Sequence, residues 1–185
     1  KKGAFGWVRY STNYHVWFNI YGGYQDLKNN LASAAIANYS GSYLQLLQGN
    51  MHNIYAGAEA SYSYKDIISF TASGIYRDWK TAKTENNSGD QLLYYMPSFE
   101  ANFKVDIRPI SSVLINLGYQ HITREKIGNE RVDPVGNLYL GGSYEVFEGI
   151  SIYVRANNLL NKDYQYYPGY PTEGINFMGG VSFRF

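Results

Sequence analysis

INFMGGVSFRF, residues 175–185, alternates without a break: Ile175, Phe177, Gly179, Val181, Phe183 and Phe185 hold the odd positions, and Asn176, Met178, Gly180, Ser182 and Arg184 the even ones. Successive residues of a strand point to opposite faces, so this period gives one apolar face and one mostly polar face. Chain ends of water-soluble domains are usually polar and frayed. A bulky aromatic in the final position reads instead as an anchored strand.

The same grammar runs upstream. In ISIYVRANNL (150–159), Ile150, Ile152, Val154 and Ala156 oppose Ser151, Tyr153, Arg155 and Asn157. The turn FEG (147–149) joins it to a strand at 137–146, where Leu138, Leu140, Tyr144 and Val146 oppose Asn137, Tyr139, Ser143 and Glu145. Further strands are expected at 112–123, 94–107, 67–79, 52–64, 14–24 and 3–10, which makes nine.

The connections sort by length. Short turns are expected at 11–13, 65–66, 108–111 and 147–149, and long loops at 25–50, 80–91, 125–136 and 160–173, on the opposite end. LASAAIANYSGSYLQLL (31–47) reads either as a short loop helix or as an extra strand. An outer-membrane barrel sorts its connections in this way, with short periplasmic turns, long extracellular loops, a lipid-facing apolar band and aromatic girdles. Strands of this length also suit a tilted crossing, which needs about 9–11 residues. The expected fold class is therefore all-β, an antiparallel up-and-down transmembrane barrel, with residues 1–185 as one barrel segment.

Composition agrees with this reading. Twenty Tyr, nine Phe and three Trp make 17% of the chain, and tyrosine favours boundaries with one apolar and one wet side. Nineteen glycines argue against a helical protein, and no apolar run approaches the roughly 18 residues of a membrane helix. The absence of cysteine removes disulfides, thiolate metal sites and cysteine nucleophiles. A net charge of +1 offers no basic stripe for nucleic acid.

NNLLNKDYQYYPGYPTEGINFMGGVSFRF, residues 157–185, resembles the C-terminal end of TonB-dependent receptors, especially those of Bacteroidetes. The residues that carry it are Asn158, Leu159, Leu160, Asn161, Lys162, Tyr164, Gly169, Tyr170, Pro171, Gly174 and Phe185. The likeness is specific over about the last 50 residues and looser over residues 3–130. No plug domain or energy-coupling box is present, and nine strands fall short of the roughly 22 of such transporters. The resemblance thus implies the C-terminal portion of a barrel for energised nutrient uptake. Its implied partners are the outer-membrane bilayer, TonB with its inner-membrane motor acting through the plug, the barrel-assembly machinery and a surface lipoprotein. Phe177, Phe183 and Phe185 would form the signal read by the assembly machinery. Two other readings stay open: a free-standing small barrel with a structural or adhesive role, and a barrel enzyme such as a lipid hydrolase.

No catalytic, cofactor or metal constellation stands out. His15, His52 and His121 show no HExxH spacing, no GxSxG accompanies them, and TENNSGD (84–90) departs from the order of a calcium loop. The expected reading is non-enzymatic. Alternation places the charges of Glu59, Arg77, Glu100, Lys104, Asp106, Arg108, Glu145, Arg155 and Arg184 on the lumen side, since Arg or Lys on the lipid face costs about 2–4 kcal/mol at the midplane. Tyr164, Tyr166, Tyr167 and Tyr170 form a dense loop cluster, suited to a girdle or to substrate contact.

Overall fold

The computed structural model describes residues 2–12, 15–38, 41–81, 96–125, 133–167 and 170–184. Its strands, in chain order, are β1 (Lys2–Thr12), β2 (Val16–Asn38), β3 (Gly41–Tyr64), β4 (Ile68–Thr81), β5 (Pro97–Ile110) and β6 (Val113–Arg124), followed by β7 (Val135–Phe147), β8 (Ile150–Asn157), β9 (Gln165–Tyr167), β10 (Tyr170–Pro171) and β11 (Asn176–Phe183). Nine of them form one antiparallel sheet in the order β1-β2-β3-β4-β5-β6-β7-β8-β11, while β9 and β10 make a small separate ribbon. Every neighbour in the large sheet is also the next large strand in the chain, so the topology is up-and-down.

Register carries the two-faced pattern across the whole ladder. One continuous row runs Phe70, Val105, Leu117, Leu140, Ala156, Phe177, each paired with the next across its strand boundary. The row beside it runs Thr71, Lys104, Gly118, Tyr139. A slip of one residue anywhere would turn a strand's apolar set over, so one apolar face specifies the register strongly. On β3 that face runs from Ile54 to Tyr64, about 33 Å of strand, or about 25 Å of depth at a 40° tilt, the height of an outer-membrane apolar band. Phe177 is 79% exposed on it, part of an apolar surface of the kind that marks a membrane or protein contact.

Short turns lie at one end. Lys65 and Asp66 both adopt left-handed backbone (φ 47° and 55°), the geometry of a tight hairpin turn whose twist matches its strands. Ile67 N–H closes that turn on the Tyr64 carbonyl at 3.0 Å. Glu148 and Gly149 close the β7–β8 hairpin with Gly149 at φ 79°, where a side chain would meet the Arg184 carbonyl at 2.6 Å.

Several boundaries differ from the sequence expectation. Residues 25–38 and 41–50 of the expected loop are strand: β2 and β3 stay paired to Asn38↔Gly41, about ten residues beyond the last pairing of β4, Met51↔Thr81. The register shifts between Leu27 and Asn30, and an irregularity there breaks the phase of the alternation, which disguises the strand in the sequence. The turns at 65–66 and 108–111 become 65–67 and 111–112, because β5 extends through Ile110. The loop 160–173 contains β9 and β10. TENNSGD and Phe185 lie outside the described residues.

Candidate functional site

Polar side chains collect on the face opposite the apolar band. Arg77 of β4 pairs with Glu100 of β5, with both side chains largely covered. Lys104 Nζ meets Asp106 Oδ2 at 2.8 Å, two residues along the same strand and so on the same face. Arg184 reaches Glu145 at 3.7 Å, and the same Glu145 oxygen accepts the Gly149 N–H at 3.2 Å. Arg155 lies 4.1 Å over the Tyr139 ring and donates from Nε to Asn157 Oδ1 at 2.7 Å. Glu100, Lys104, Glu145, Arg155 and Arg184 thus fall into four local groups spread across the sheet, and no single site gathers them.

Tyrosines and glycines interlock on this face. Tyr21 pairs with Gly57, Tyr139 with Gly118 and Tyr153 with Gly180, and in each case a side chain added to the glycine would run into the tyrosine ring. Glycine leaves the backbone uncovered in a strand, and a cross-strand aromatic covers it. All three pairings follow from the register.

At the long-loop end, the segment after β8 is held by two asparagines in left-handed conformation, Asn158 (φ 52°) and Asn161 (φ 48°). Asn158 is 1% exposed. Its amide donates to the Lys162 carbonyl at 2.9 Å and the Glu173 carbonyl at 3.1 Å, its Oδ1 accepts the Lys162 N–H at 3.1 Å, and its own N–H donates to Asn137 Oδ1 at 2.9 Å. Its side chain joins the two ends of the connection, and its backbone N–H ties them to β7. Asn161 Oδ1 accepts the Ile175 N–H at 3.3 Å, just where β11 begins.

Arg124, at the end of β6, is nearly buried and donates to the Gln165 and Tyr166 carbonyls at 2.7 and 3.2 Å. No sequence signal marked Arg124, because its acceptors are backbone atoms 41 and 42 residues away. Tyr164 is 4% exposed and meets Tyr166 edge-on at 5.5 Å; burial pushes its hydroxyl up to about 12, with Tyr166 adding to the effect. It packs inside the loop. Tyr166 donates to Gln120 Oε1 at 2.7 Å, and Tyr170 is 68% exposed. The side chain of Tyr167 is not among those described. Of the three described, Tyr170 and part of Tyr166 face outward.

His15, His52 and His121 sit on β1–β2, β3 and β6 respectively. His52 lies against Tyr24, and His121 against Phe99 and Tyr119. Among the described residues no group of three metal-ligating side chains forms.

No protein-family model matches the chain, and no curated protein matches it. Solved structures do. The chain superposes over 99% of its length on 32% of the copper transporter OprC, with a TM-score of 0.74 and 19% identity. Over 94% of its length it matches 26% of Fiu, a ferric-catecholate import receptor of Escherichia coli K12 (TM-score 0.65, 14% identity). Over 99% it matches 31% of PfeA, a ferric enterobactin receptor of Pseudomonas aeruginosa (TM-score 0.66, 14% identity). OmpT, an outer-membrane protein of Vibrio cholerae, matches with a TM-score of 0.62 at 12% identity, and the chain spans 56% of it. The fold is that of an outer-membrane β-barrel wall. Three of these four structures are by name a transporter or receptors, and the likeness to all of them is one of fold. The chain spans about a quarter to a third of the length of those receptors.

Proposed function

We propose that this chain is the C-terminal part of the barrel wall of an outer-membrane receptor that imports a nutrient with energy delivered by TonB. The observation that carries the reading is the division of one continuous nine-strand ladder into an apolar face and a face of paired charges, joined to a receptor-like C-terminal motif. In this reading the apolar face meets the lipid of a Gram-negative outer membrane. The polar face lines the lumen, where Glu100, Lys104, Glu145, Arg155 and Arg184 hydrogen-bond a plug or keep the interior wet.

β1 pairs only with β2 and β11 only with β8 among the described strands, so each presents an unpaired edge. In hydrocarbon an unsatisfied backbone group costs several kcal/mol, so both edges take further strands of the complete wall. Gradient energy reaches the plug through TonB and the inner-membrane motor. Phe177, Phe183 and Phe185 serve the barrel-assembly machinery, and a surface lipoprotein is a further partner. OprC and Fiu carry copper and ferric catecholates by name; for this chain the reading extends to import from outside, with catalysis playing no part.

The test is uptake. Cells lacking the complete protein are compared with cells lacking TonB for accumulation of labelled metal chelates, cobalamin and oligosaccharides. A nutrient lost equally in both strains supports the proposal. Uptake that depends on this protein and persists without TonB sinks the energised reading.

A further inference from the structure

A polar cleft of about 270 Å³ opens near the long-loop end, lined by Tyr119, His121, Asp133, Gly136, Lys162 and Asp163. Its floor is Gly136, paired with His121, where a Cβ would stand 3.3 Å from the Tyr119 hydroxyl and 3.8 Å from the Lys162 stem. Tyr119 pairs with Leu138 in the apolar set, so the cleft opens on that side of the sheet and away from the paired charges. From Gly136 to Phe147, β7 covers about 36 Å of strand, or about 28 Å of depth at a 40° tilt. An outer-membrane apolar band is about 25 Å tall. The cleft therefore sits at the upper edge of the band, where hydrocarbon gives way to head groups.

Its walls are fixed by neighbouring contacts. The Asn158 side chain binds both the carbonyl and the N–H of Lys162, and the buried Tyr164 follows, so Lys162 and Asp163 lie between two anchored residues. The Asp133 carbonyl accepts from Arg124 at 3.5 Å, and the Tyr119 and His121 rings lie nearly parallel, at 19° and 6.3 Å. Groups held in place before a ligand arrives lose little freedom on contact.

We infer that this cleft holds one unphosphorylated sugar ring from the head of a glycolipid in the extracellular leaflet. A sugar presents hydroxyls at its rim and C–H groups on its faces. The Asp133 and Asp163 carboxylates accept from the hydroxyls, the Lys162 ammonium and the Tyr119 hydroxyl donate to them, and the aromatic rings cover the C–H groups. Two carboxylates against one ammonium turn a phosphate away. The volume is that of about nine waters in the liquid, which is room for a single ring. Position selects the source: the cleft opens outward at head-group depth, on the far side of the wall from the lumen through which an imported solute passes. The inference rests on the membrane orientation proposed above.

The complete protein, purified in an octyl polyether, is titrated with octyl glucoside, which carries a single sugar ring on a short chain, and bound glycoside is counted by native mass spectrometry. One glycoside is expected to be retained in preference to the polyether. Replacing the two exposed carboxylates together, Asp133→Ala with Asp163→Ala, should weaken its retention about tenfold, the range of one charged hydrogen bond. Gly136→Ala, which puts a methyl group on the floor, should lower it as well. Unchanged retention in the carboxylate variant overturns the cleft as the site. Equal retention of glycoside and polyether by the unmodified protein overturns the sugar recognition and leaves only unselective detergent. Free glucose that displaces the glycoside at equal concentration overturns the lipid source in favour of a dissolved saccharide. Should Gly136→Ala fail to assemble, the carboxylate variant carries the test alone. A spin label at Phe177 separates the two levels: water there defeats the membrane orientation and with it the lipid source, whereas lipid there with no preference for the glycoside defeats only the sugar site.

Discussion

Tyr139 and Gly118 face each other across β7 and β6, and the phenol of Tyr139 fills the space in which a side chain on Gly118 would stand. Arg155 lies over that ring at 4.1 Å from its centre, so glycine, tyrosine and arginine form one cluster spanning three strands. Gly118→Ala is expected to destabilise the barrel by about 1–3 kcal/mol, because the ring must leave a well-packed position. Urea unfolding in detergent micelles measures it. In a Tyr139→Ala background the same change should cost much less, and fully additive costs would remove the stack from the explanation.

The Arg77–Glu100 pair offers a second cycle. Both side chains are about three-quarters covered on the polar face, so either single replacement, Arg77→Met or Glu100→Gln, leaves a poorly solvated partner. Each single change is expected to cost about 1–2 kcal/mol, between the values of exposed and fully buried pairs. The double replacement should cost less than their sum. Independent effects would mean that the pair contributes nothing as a pair.

Asn158 is the residue whose loss should loosen the loop end most. Asn158→Ala removes three side-chain hydrogen bonds and leaves φ 52° to a residue without asparagine's tolerance of it, for about 2–4 kcal/mol. Asn158→Asp is expected to do no better, since a carboxylate cannot donate to the Lys162 and Glu173 carbonyls. Limited proteolysis between residues 158 and 175 reports the effect; unchanged cleavage in both variants would count against the clamp.

Glu125 sets a pH dependence just beyond the end of β6. Burial, then the charge of Asp78, holds its carboxyl above the ordinary 4.5, partly offset by the Trp79 backbone N–H. The folded state therefore binds this proton more tightly than the unfolded state. Its stabilising contribution is complete below the unfolded value and is lost as pH rises through the raised folded value. Glu125→Gln should raise the thermal midpoint at pH 7.5 and leave it unchanged at pH 4. A gain of equal size at both pH values would assign the effect to something other than this carboxyl.

Faces can be read directly by spin labels, helped by the absence of cysteine in this chain. A label at Phe177 should be accessible to oxygen in lipid, and one at Arg184 to a water-soluble relaxant. If Phe177 reports a water-filled or closely packed environment, the outward assignment of the apolar row fails.

The sequence by itself determined the class of fold, the number of long strands and which residues share a face. All three follow from a period of two, which each strand displays locally without help from its neighbours: INFMGGVSFRF and ISIYVRANNL carry their two faces in their own order. It failed where the period broke, at the shift between Leu27 and Asn30, so that the adjoining far ends of β2 and β3 read as a loop. Tertiary structure alone decided what meets what. Register set Tyr139 on Gly118, and chain closure over forty residues brought Arg124 to the carbonyls of Gln165 and Tyr166. Asn158 was visible as part of a motif, but its buried left-handed position between Lys162 and Glu173 was not. Pairings of this kind depend on strand offset and on distant backbone atoms, and neither leaves a trace in the local alternation of side chains.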